Sequence, residues 1–184
     1  MIDGEVIDSN QQDLGRRQSA ELPLMVNGII ERNGITWDSL DYVALTNGPG
    51  YFTGIRVGAA YASGLAYAAN AKIIPVSTLE MLARSSGLTG KILAVVYAGH
   101  GFVYAWCSGF LDAGEYDLDL LREWLAMNPD AAVISDDPER ACVSGIQVKP
   151  DIKALCELAK TKIESAVSPL ELKIEYYRAP QGVN

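Results

Sequence analysis

The amino-acid sequence predicts an α/β fold with two subdomains. Short apolar runs, which are typical of buried strands, alternate with segments whose apolar residues recur at helical spacing. Glycine and proline separate these segments, and no internal repeat or low-complexity linker interrupts them. A helix-rich half gives way to a hairpin-led half near Leu88–Lys91, which predicts subdomains over residues 1–88 and 89–184.

The first half begins with a short alternating pattern at Gly4–Asp8, which predicts a strand. Arg16–Asn33 is predicted to be a helix, bent or begun near Pro23 and stopped by Gly34. Its apolar residues follow the spacing i, i+3, i+4, i+7, i+8 and therefore share one face. That face consists of Leu22, Met25, Val26, Ile29 and Ile30.

Two predicted strands, Tyr42–Thr46 and Lys72–Val76, flank the most informative segment of the chain. A glycine-rich loop, Asn47–Gly54, follows the first strand and leads into a helix that reaches about Asn70. Thr53 is predicted to cap this helix. Small residues recur at every fourth position of the helix and predict a stripe along which another backbone can approach closely. The stripe consists of Gly54, Gly58, Ala62 and Ala66.

A capping box at Ser77–Glu80 predicts the start of a further helix, which Gly87 closes. Lys91–Tyr97 and Phe102–Phe110 are rich in β-forming residues and predict a hairpin. The rest of the chain continues the alternation of strands and helices. Strands are predicted at Ala131–Ser135, Val143–Val148 and Leu172–Tyr177, and helices around Leu118–Leu125 and from Asp151 to Ile163.

The composition favours a globular, cytoplasmic protein. Hydrophobic residues make up 49% of the 184 residues, which is enough for a core. A formal net charge of −8 disfavours autonomous binding of nucleic acid, because such a surface repels phosphates. The three cysteines are far apart and are expected to be reduced, and the single histidine, His100, cannot build a metal site alone. The N-terminus has no apolar signal segment, and the longest uncharged run, Val57–Ala71, is shorter than the roughly 20 residues of a membrane span.

The glycine-rich loop has two interpretations. Backbone N–H groups at a helix start favour anions, so Gly48, Gly50, Thr53 and Gly54 could form a phosphate-binding loop. The loop lacks the Lys-Ser/Thr pair of a P-loop, however, and a tight strand-to-helix turn with glycines at positive φ accounts for the same residues. The residues alone favour the turn.

The helix from Thr53 to Asn70 carries few polar side chains on any face. A helix that is apolar nearly all round must be covered on more than one side, either by its own chain or by a partner. The sequence leaves both possibilities open. The candidate partner-binding residues on this helix and the preceding one are Leu22, Met25, Val26, Ile29, Val57, Gly58, Tyr61, Ala62 and Leu65.

Two motifs resemble the TsaB family, also called YeaZ, whose members are bacterial subunits for threonylcarbamoyladenosine biosynthesis on tRNA and were once described as M22 glycoprotease homologues. The motifs are GPGYFTGIRVGAAYASGLAYA from Gly48 and IIPVSTLEMLA from Ile73. They are similar to the family's Gly-Pro-Gly-Ser-Phe-Thr-Gly-Leu-Arg-Ile-Gly and Val-Ser-Ser/Thr-Leu-Glu patterns, with Tyr51 in place of serine. Tyr176–Arg178 resembles the family's Pro-x-Tyr-Leu-Arg ending. The resemblance is specific over about Arg16–Gly87 and implies the actin-like ATPase (ASKHA, ribonuclease H-like) fold.

The resemblance also implies a non-catalytic scaffold subunit. In the catalytic relative TsaD a His-x-x-x-His metal pair follows the same strand, whereas this chain has Ser77 and Met81 there. Family members pack their N-terminal helices against TsaD or form homodimers, which gives the candidate partner-binding residues a role. The complex would include a TsaE-like ATPase, and tRNA would be contacted only indirectly. An actin-like ATPase or an M22-type peptidase is the alternative.

Two departures from the family pattern bear on nucleotide binding. TsaB-like chains begin with a hairpin carrying Asp-Thr-Ser, part of a phosphate-binding apparatus, and this sequence is expected to lack it. The family's Asp-Ala-Arg at the later hairpin is here Ala98–His100. The resemblance therefore implies no cofactor, ATP with Mg²⁺ included, and no metal. The loop residues Gly48, Gly50, Thr53 and Gly54 are expected to be a vestigial phosphate loop.

Overall fold

A computed structural model describes residues 1–177 of the chain. The helices within this range are α1 (Gln18–Arg32), α2 (Phe52–Ala68), α3 (Thr78–Ser85), α4 (Leu118–Met127) and α5 (Ile152–Thr161). The strands are β1 (Tyr42–Thr46), β2 (Lys72–Val76), β3 (Ile92–Gly99), β4 (Phe102–Cys107), β5 (Leu111–Asp117), β6 (Ala132–Ser135) and β7 (Ile146–Gln147). Short 3₁₀ turns lie at Gly15–Arg17, Trp37–Ser39 and Ile163–Ser165.

The first of two compact units comprises Met1–Asn47, Phe52–Val76 and Leu155–Ile174. Its centre is a parallel pair of strands, β1 and β2. Helix α2 packs on this pair and α1 packs against α2. The core of this unit is built largely from small side chains, which bring the helix close to the strands. It consists of Leu45, Ala59, Ala62, Ala66, Ala69, Ala71 and Ile73.

The second unit comprises Gly48–Tyr51, Ser77–Ala154 and, within the described residues, 175–177. Its five-stranded mixed sheet has the order β5-β4-β3-β6-β7, in which β3 runs antiparallel to β4 and parallel to β6. Successive residues of β3 point to opposite faces of the sheet, and both faces are buried. One face joins a cluster with Leu93 and Leu121, and the other joins a cluster with Leu79 and Leu82.

These units differ from the two subdomains expected from the sequence. The expected boundary between the subdomains lay at residue 88. The change from the first unit to the second falls after Val76, because Leu79 and Leu82 of α3 pack into a core of the second unit. Residues 155–174 return to the first unit, where Val167 forms a bridge with Ile73. A single boundary along the sequence assigns every later residue to the second subdomain and therefore cannot describe this return.

Most predicted elements are confirmed. β1 and β2 have the bounds that the sequence predicted, and β3 and β4 form the predicted hairpin. Helix α1 forms with Pro23 inside it. The carboxylate of Asp151 caps α5 by accepting a hydrogen bond from the backbone N–H of Lys153 at 2.9 Å.

The predicted strand at Gly4–Asp8 is wrong. Main-chain hydrogen bonds between Ile2 and Glu5 close a tight turn instead, with Asp3 and Gly4 at positive φ. After this turn, side-chain hydrogen bonds rather than a β-ladder attach the N-terminal segment to the end of α1. Asp8 accepts hydrogen bonds from Asn33 Nδ2 at 2.8 Å and from Arg32 Nη2 at 2.9 Å, and these lower its pKa from the ordinary value.

The predicted final strand at Leu172–Tyr177 is also wrong. Leu172 and Ile174 pack on the core of the first unit, but their backbone joins no sheet. The carbonyl of Lys173 accepts instead from the side chain of Asn47 at 3.2 Å. Arg178, the last residue of the C-terminal motif, lies outside the described residues. Strand β5, in contrast, was not predicted, because its acidic residues and glycine obscure the pattern.

Two predicted helix caps are wrong in detail. Helix α2 begins at Phe52, so Thr53 lies inside its first turn rather than before it. Ser77 occupies the cap position of α3, but its hydroxyl accepts no capping hydrogen bond and is buried without a partner. Among residues 1–177, no helix has the length and apolar character needed to cross a bilayer.

Candidate partner-binding surface

Helix α2 is apolar on nearly every face, and residues 1–177 cover only part of it. The inward face carries Ala59, Ala62 and Ala66, all buried against β1 and β2. Ala62 is only 5% exposed and belongs to this core. Its inclusion among the partner-binding residues is therefore wrong, because no partner can reach it in the folded unit.

A groove lies between α1 and α2, with a volume of about 250 Å³. We call it the α1–α2 groove. None of its lining residues is charged, and the aliphatic and aromatic ones dominate. The lining residues are Gln18, Ser19, Leu22, Pro23, Val57, Ala60 and Tyr61.

The groove unites some of the predicted partner-binding residues. Leu22, Val57 and Tyr61 line it, as the sequence placed them on one surface. The others are half-buried and do not line it, namely Met25, Val26, Ile29, Gly58 and Leu65. Sequence reasoning missed Gln18, Ser19, Pro23 and Ala60, although Ala60 follows Val57 by one helical turn and Pro23 adjoins Leu22.

The groove remains uncharged at neutral pH. Burial raises the pKa of the Tyr61 phenol above its ordinary value, so the ring stays protonated. Arg56, next to Val57 in sequence, places its guanidinium 3.6 Å from the ring centroid of Phe52. The chemistry of the groove therefore suits an apolar partner rather than an ionic ligand.

Open space also flanks the groove on α2. A Cβ added at Gly58 or at Gly64 would meet no heavy atom within 4 Å. Tyr67 on the same helix is 70% exposed, and Leu24 on α1 is 67% exposed. Large exposed side chains beside an apolar groove are typical of surfaces that bind protein.

The glycine-rich loop makes a close contact within the second unit. Gly48 has φ +119°, and a Cβ there would lie 2.6 Å from the carbonyl oxygen of Glu175. Its own carbonyl accepts from the backbone N–H of Thr78 at 2.8 Å. Glycine at position 48 is thus required by chain packing, as the turn interpretation expects.

A phosphate role for the other loop residues gains no support from this geometry. Gly50 follows the buried Pro49, and Thr53 and Gly54 lie in the first turn of α2. Ser77 and Met81, which the resemblance aligns with a histidine pair of the catalytic relative, offer a hydroxyl and a buried thioether, and these are poor ligands for a catalytic metal. Across the described range, no three His, Cys, Asp or Glu side chains are arranged to hold a metal ion.

Curated relatives carry the TsaB name. The chain is 40% identical over 62 residues to the tRNA threonylcarbamoyladenosine biosynthesis protein TsaB of Haemophilus influenzae, covering 34% of this chain and 26% of that protein. It is 37% identical over 93 residues to the Escherichia coli TsaB, covering 48% and 40% respectively. The chain thus aligns with less than half the length of these relatives.

A model of the family described as TsaD, tRNA N6-adenosine threonylcarbamoyltransferase, matches residues 7–170. The chain belongs to this family, on its TsaB/YeaZ side. A transferase of that description from Mycoplasma mobile is 32% identical over 94 residues, covering 48% of this chain and 30% of that protein. The TsaB/YeaZ resemblance inferred from the two motifs is confirmed.

Solved structures show the fold of this TsaB/YeaZ-type chain. A Pseudomonas aeruginosa protein described as uncharacterised and similar to the peptidase YeaZ superimposes with a TM-score of 0.72 at 22% identity, covering 91% of this chain and 85% of that one. YeaZ from Pseudomonas aeruginosa gives a TM-score of 0.67 at 21% identity, covering 90% and 86%. The actin-like fold is confirmed.

Proposed function

We propose that the chain is a non-catalytic scaffold subunit in tRNA threonylcarbamoyladenosine biosynthesis, which binds and positions a TsaD-like catalytic subunit in the cytoplasm. The observation that carries the proposal is the α1–α2 groove, an uncharged surface on two helices that the described part of the chain leaves open. The names of the TsaB relatives supply the pathway. A partner of the same fold would present helices of similar kind, which suits helix-on-helix packing.

The donor chemistry of the chain supports a role without catalysis. Ser77 and Met81 stand where TsaD-like chains carry their metal pair, and neither is a strong ligand for a catalytic metal. With a net charge of −8, the chain would contact tRNA only through its partner. No observation in the described residues favours an ATPase or a peptidase. The complex that we propose also includes a TsaE-like ATPase.

A charge placed in the groove tests the proposal. Ala60 lines the α1–α2 groove and is exposed, so Ala60→Glu should leave the fold intact. Burying that carboxylate against an apolar partner costs about 1.4 kcal/mol or more, which weakens binding roughly tenfold or more. The measurement is calorimetric titration with the purified TsaD-like subunit of the same organism.

The matched control is Ala126→Glu, which places the same charge at an exposed position of α4 in the second unit. We expect this variant to bind like the unmodified chain. Circular dichroism establishes that both variants are folded. Native affinity in a folded Ala60→Glu variant would contradict the proposed surface.

A further inference from the structure

A proline inside a helix forms part of the α1–α2 groove. Pro23 lies within α1 and lines the groove, as does Ser19, which precedes it by four residues. In an α-helix each carbonyl accepts a hydrogen bond from the N–H four residues later, and proline has no N–H. The carbonyl of Ser19 therefore lacks its helical donor. Within residues 1–177, no N–H from outside α1 donates to it. This carbonyl keeps the capacity to accept a hydrogen bond from a partner.

The hydroxyl of Tyr61 is a second polar group at the same groove. Tyr61 lies on α2, lines the groove and is half-buried. Its hydroxyl makes no hydrogen bond to any residue of the described range, and burial raises the pKa of the phenol above its ordinary value. The hydroxyl thus keeps its proton at neutral pH. A phenol that a partner cuts off from water needs a hydrogen-bond acceptor on that partner.

The size and lining of the groove limit what can fill it. Its volume of about 250 Å³ lies below the roughly 300–1,000 Å³ of pockets that enclose drug-sized ligands. One protruding side chain of a partner protein suits this volume better than a small molecule does. A charged side chain is disfavoured, because none of the lining residues could compensate its charge.

We propose that the TsaD-like subunit inserts an asparagine or glutamine side chain into the α1–α2 groove. The amide N–H of that side chain donates to the carbonyl of Ser19, and its oxygen accepts from the hydroxyl of Tyr61. A carboxamide is neutral and offers its donor and its acceptor on separate atoms. The main-chain amides of a partner helix are already paired within that helix, which leaves a side chain to fill this role. The inference rests on the proposed function and adds the chemical group that the groove recognises.

A substitution of Pro23 tests the contact with the carbonyl. Pro23→Val keeps an apolar side chain in the groove and supplies the missing N–H, which pairs the Ser19 carbonyl inside α1. The free energy of unfolding should therefore not fall, whereas the affinity for the purified TsaD-like subunit should fall about three- to tenfold. Calorimetric titration measures the affinity, and urea unfolding measures the stability. The matched control is Ala20→Val, an exposed position of α1 outside the groove lining, which should bind like the unmodified chain.

A second variant tests the contact with the hydroxyl. Tyr61→Phe keeps the ring and removes the donor, so the affinity for the TsaD-like subunit should again fall about three- to tenfold. Tyr42→Phe, which removes a hydroxyl outside the groove, should have no effect. Because one amide makes both bonds, the double variant of Pro23 and Tyr61 should lose less than the product of the two single losses. Independent losses would contradict a shared amide.

The outcomes separate this inference from the proposed function. If Ala60→Glu weakens binding while folded Pro23→Val and Tyr61→Phe bind normally, the groove binds the partner without an amide, and only the inference fails. If all three variants bind normally, the proposed surface is wrong as well. Should circular dichroism show that Pro23→Val is unfolded, Pro23→Ala supplies the N–H in its place.

Discussion

In the first unit, a helix lined with alanine lies on two parallel strands, whereas in the second unit leucine, valine and isoleucine side chains fill both faces of a five-stranded sheet. Ala59, Ala62 and Ala66 bring α2 close to the first sheet. In the second unit, large side chains pack on both faces of the sheet, with Leu93 on one face and Leu79 on the other. A tight core of small residues has no room to spare, while a core of large residues depends on the volume that each one fills.

The two units also differ in their surfaces. The first unit carries the α1–α2 groove. In the second unit, one edge strand of the sheet, β7, is only two residues long, whereas the other, β5, has seven residues. The comparison predicts that the two cores fail by opposite mechanisms, overpacking in the first unit and cavity formation in the second.

The largest expected effect is a cavity in the second unit. Leu93 is fully buried, so Leu93→Ala should lower the free energy of unfolding by about 2–5 kcal/mol. Leu120 is 58% exposed on α4, and Leu120→Ala should change it by less than about 0.5 kcal/mol. Urea unfolding gives both values. Equal losses in the two variants would show that the second core does not depend on filled volume.

Overpacking in the first unit should have the next largest effect. Ala66 is fully buried between α2 and the strands, so Ala66→Leu should destabilise the chain by about 1–3 kcal/mol. Ala68 is exposed near the end of the same helix, and Ala68→Leu should be nearly neutral. Urea unfolding again measures the difference. A neutral Ala66→Leu would mean that the alanine core has spare room, and the contrast between the cores would be lost.

The sequence predicted those parts of the fold whose pattern is local. β1 and β2 are uncharged or nearly uncharged runs bounded by turn residues, and their bounds were correct. β5 contains Asp112, Gly114 and Glu115 and becomes a strand because it pairs with β4, which no local pattern shows. Leu172–Tyr177 has a strand-like pattern, but its apolar residues are used in packing and not in a ladder.

The sequence predicted only some of the residues of the candidate site, and the reason is geometric. Residues four apart on an α-helix are rotated by about 40° from one another, since each residue turns the helix by about 100°. A stripe with that repeat drifts around the helix, so Gly58 faces open space while Ala62 and Ala66 face the sheet. The sequence shows the spacing but not the direction of the core. Which small residues are accessible therefore had to come from the structure.

The smallest expected effect concerns a half-buried phenol of the second unit, that of Tyr177. Burial, followed by the nearby carboxylate of Glu175, raises the pKa of Tyr177 to about 12. The unfolded chain ionises this tyrosine near pH 10, so the free energy of unfolding should fall between about pH 10 and about pH 12, where the unfolded state binds fewer protons. Below pH 10 the residue is protonated in both states and contributes no pH dependence.

Absorbance at the tyrosinate band measures this titration. Tyr177→Phe should remove a component that titrates near pH 12 and should flatten the loss of stability over the same range. Tyr51→Phe, which alters a tyrosine that is 72% exposed, should leave the late component unchanged. A late component that survives Tyr177→Phe would contradict this assignment and would belong to another tyrosine, such as Tyr61 or Tyr116, whose pKa is also raised by burial.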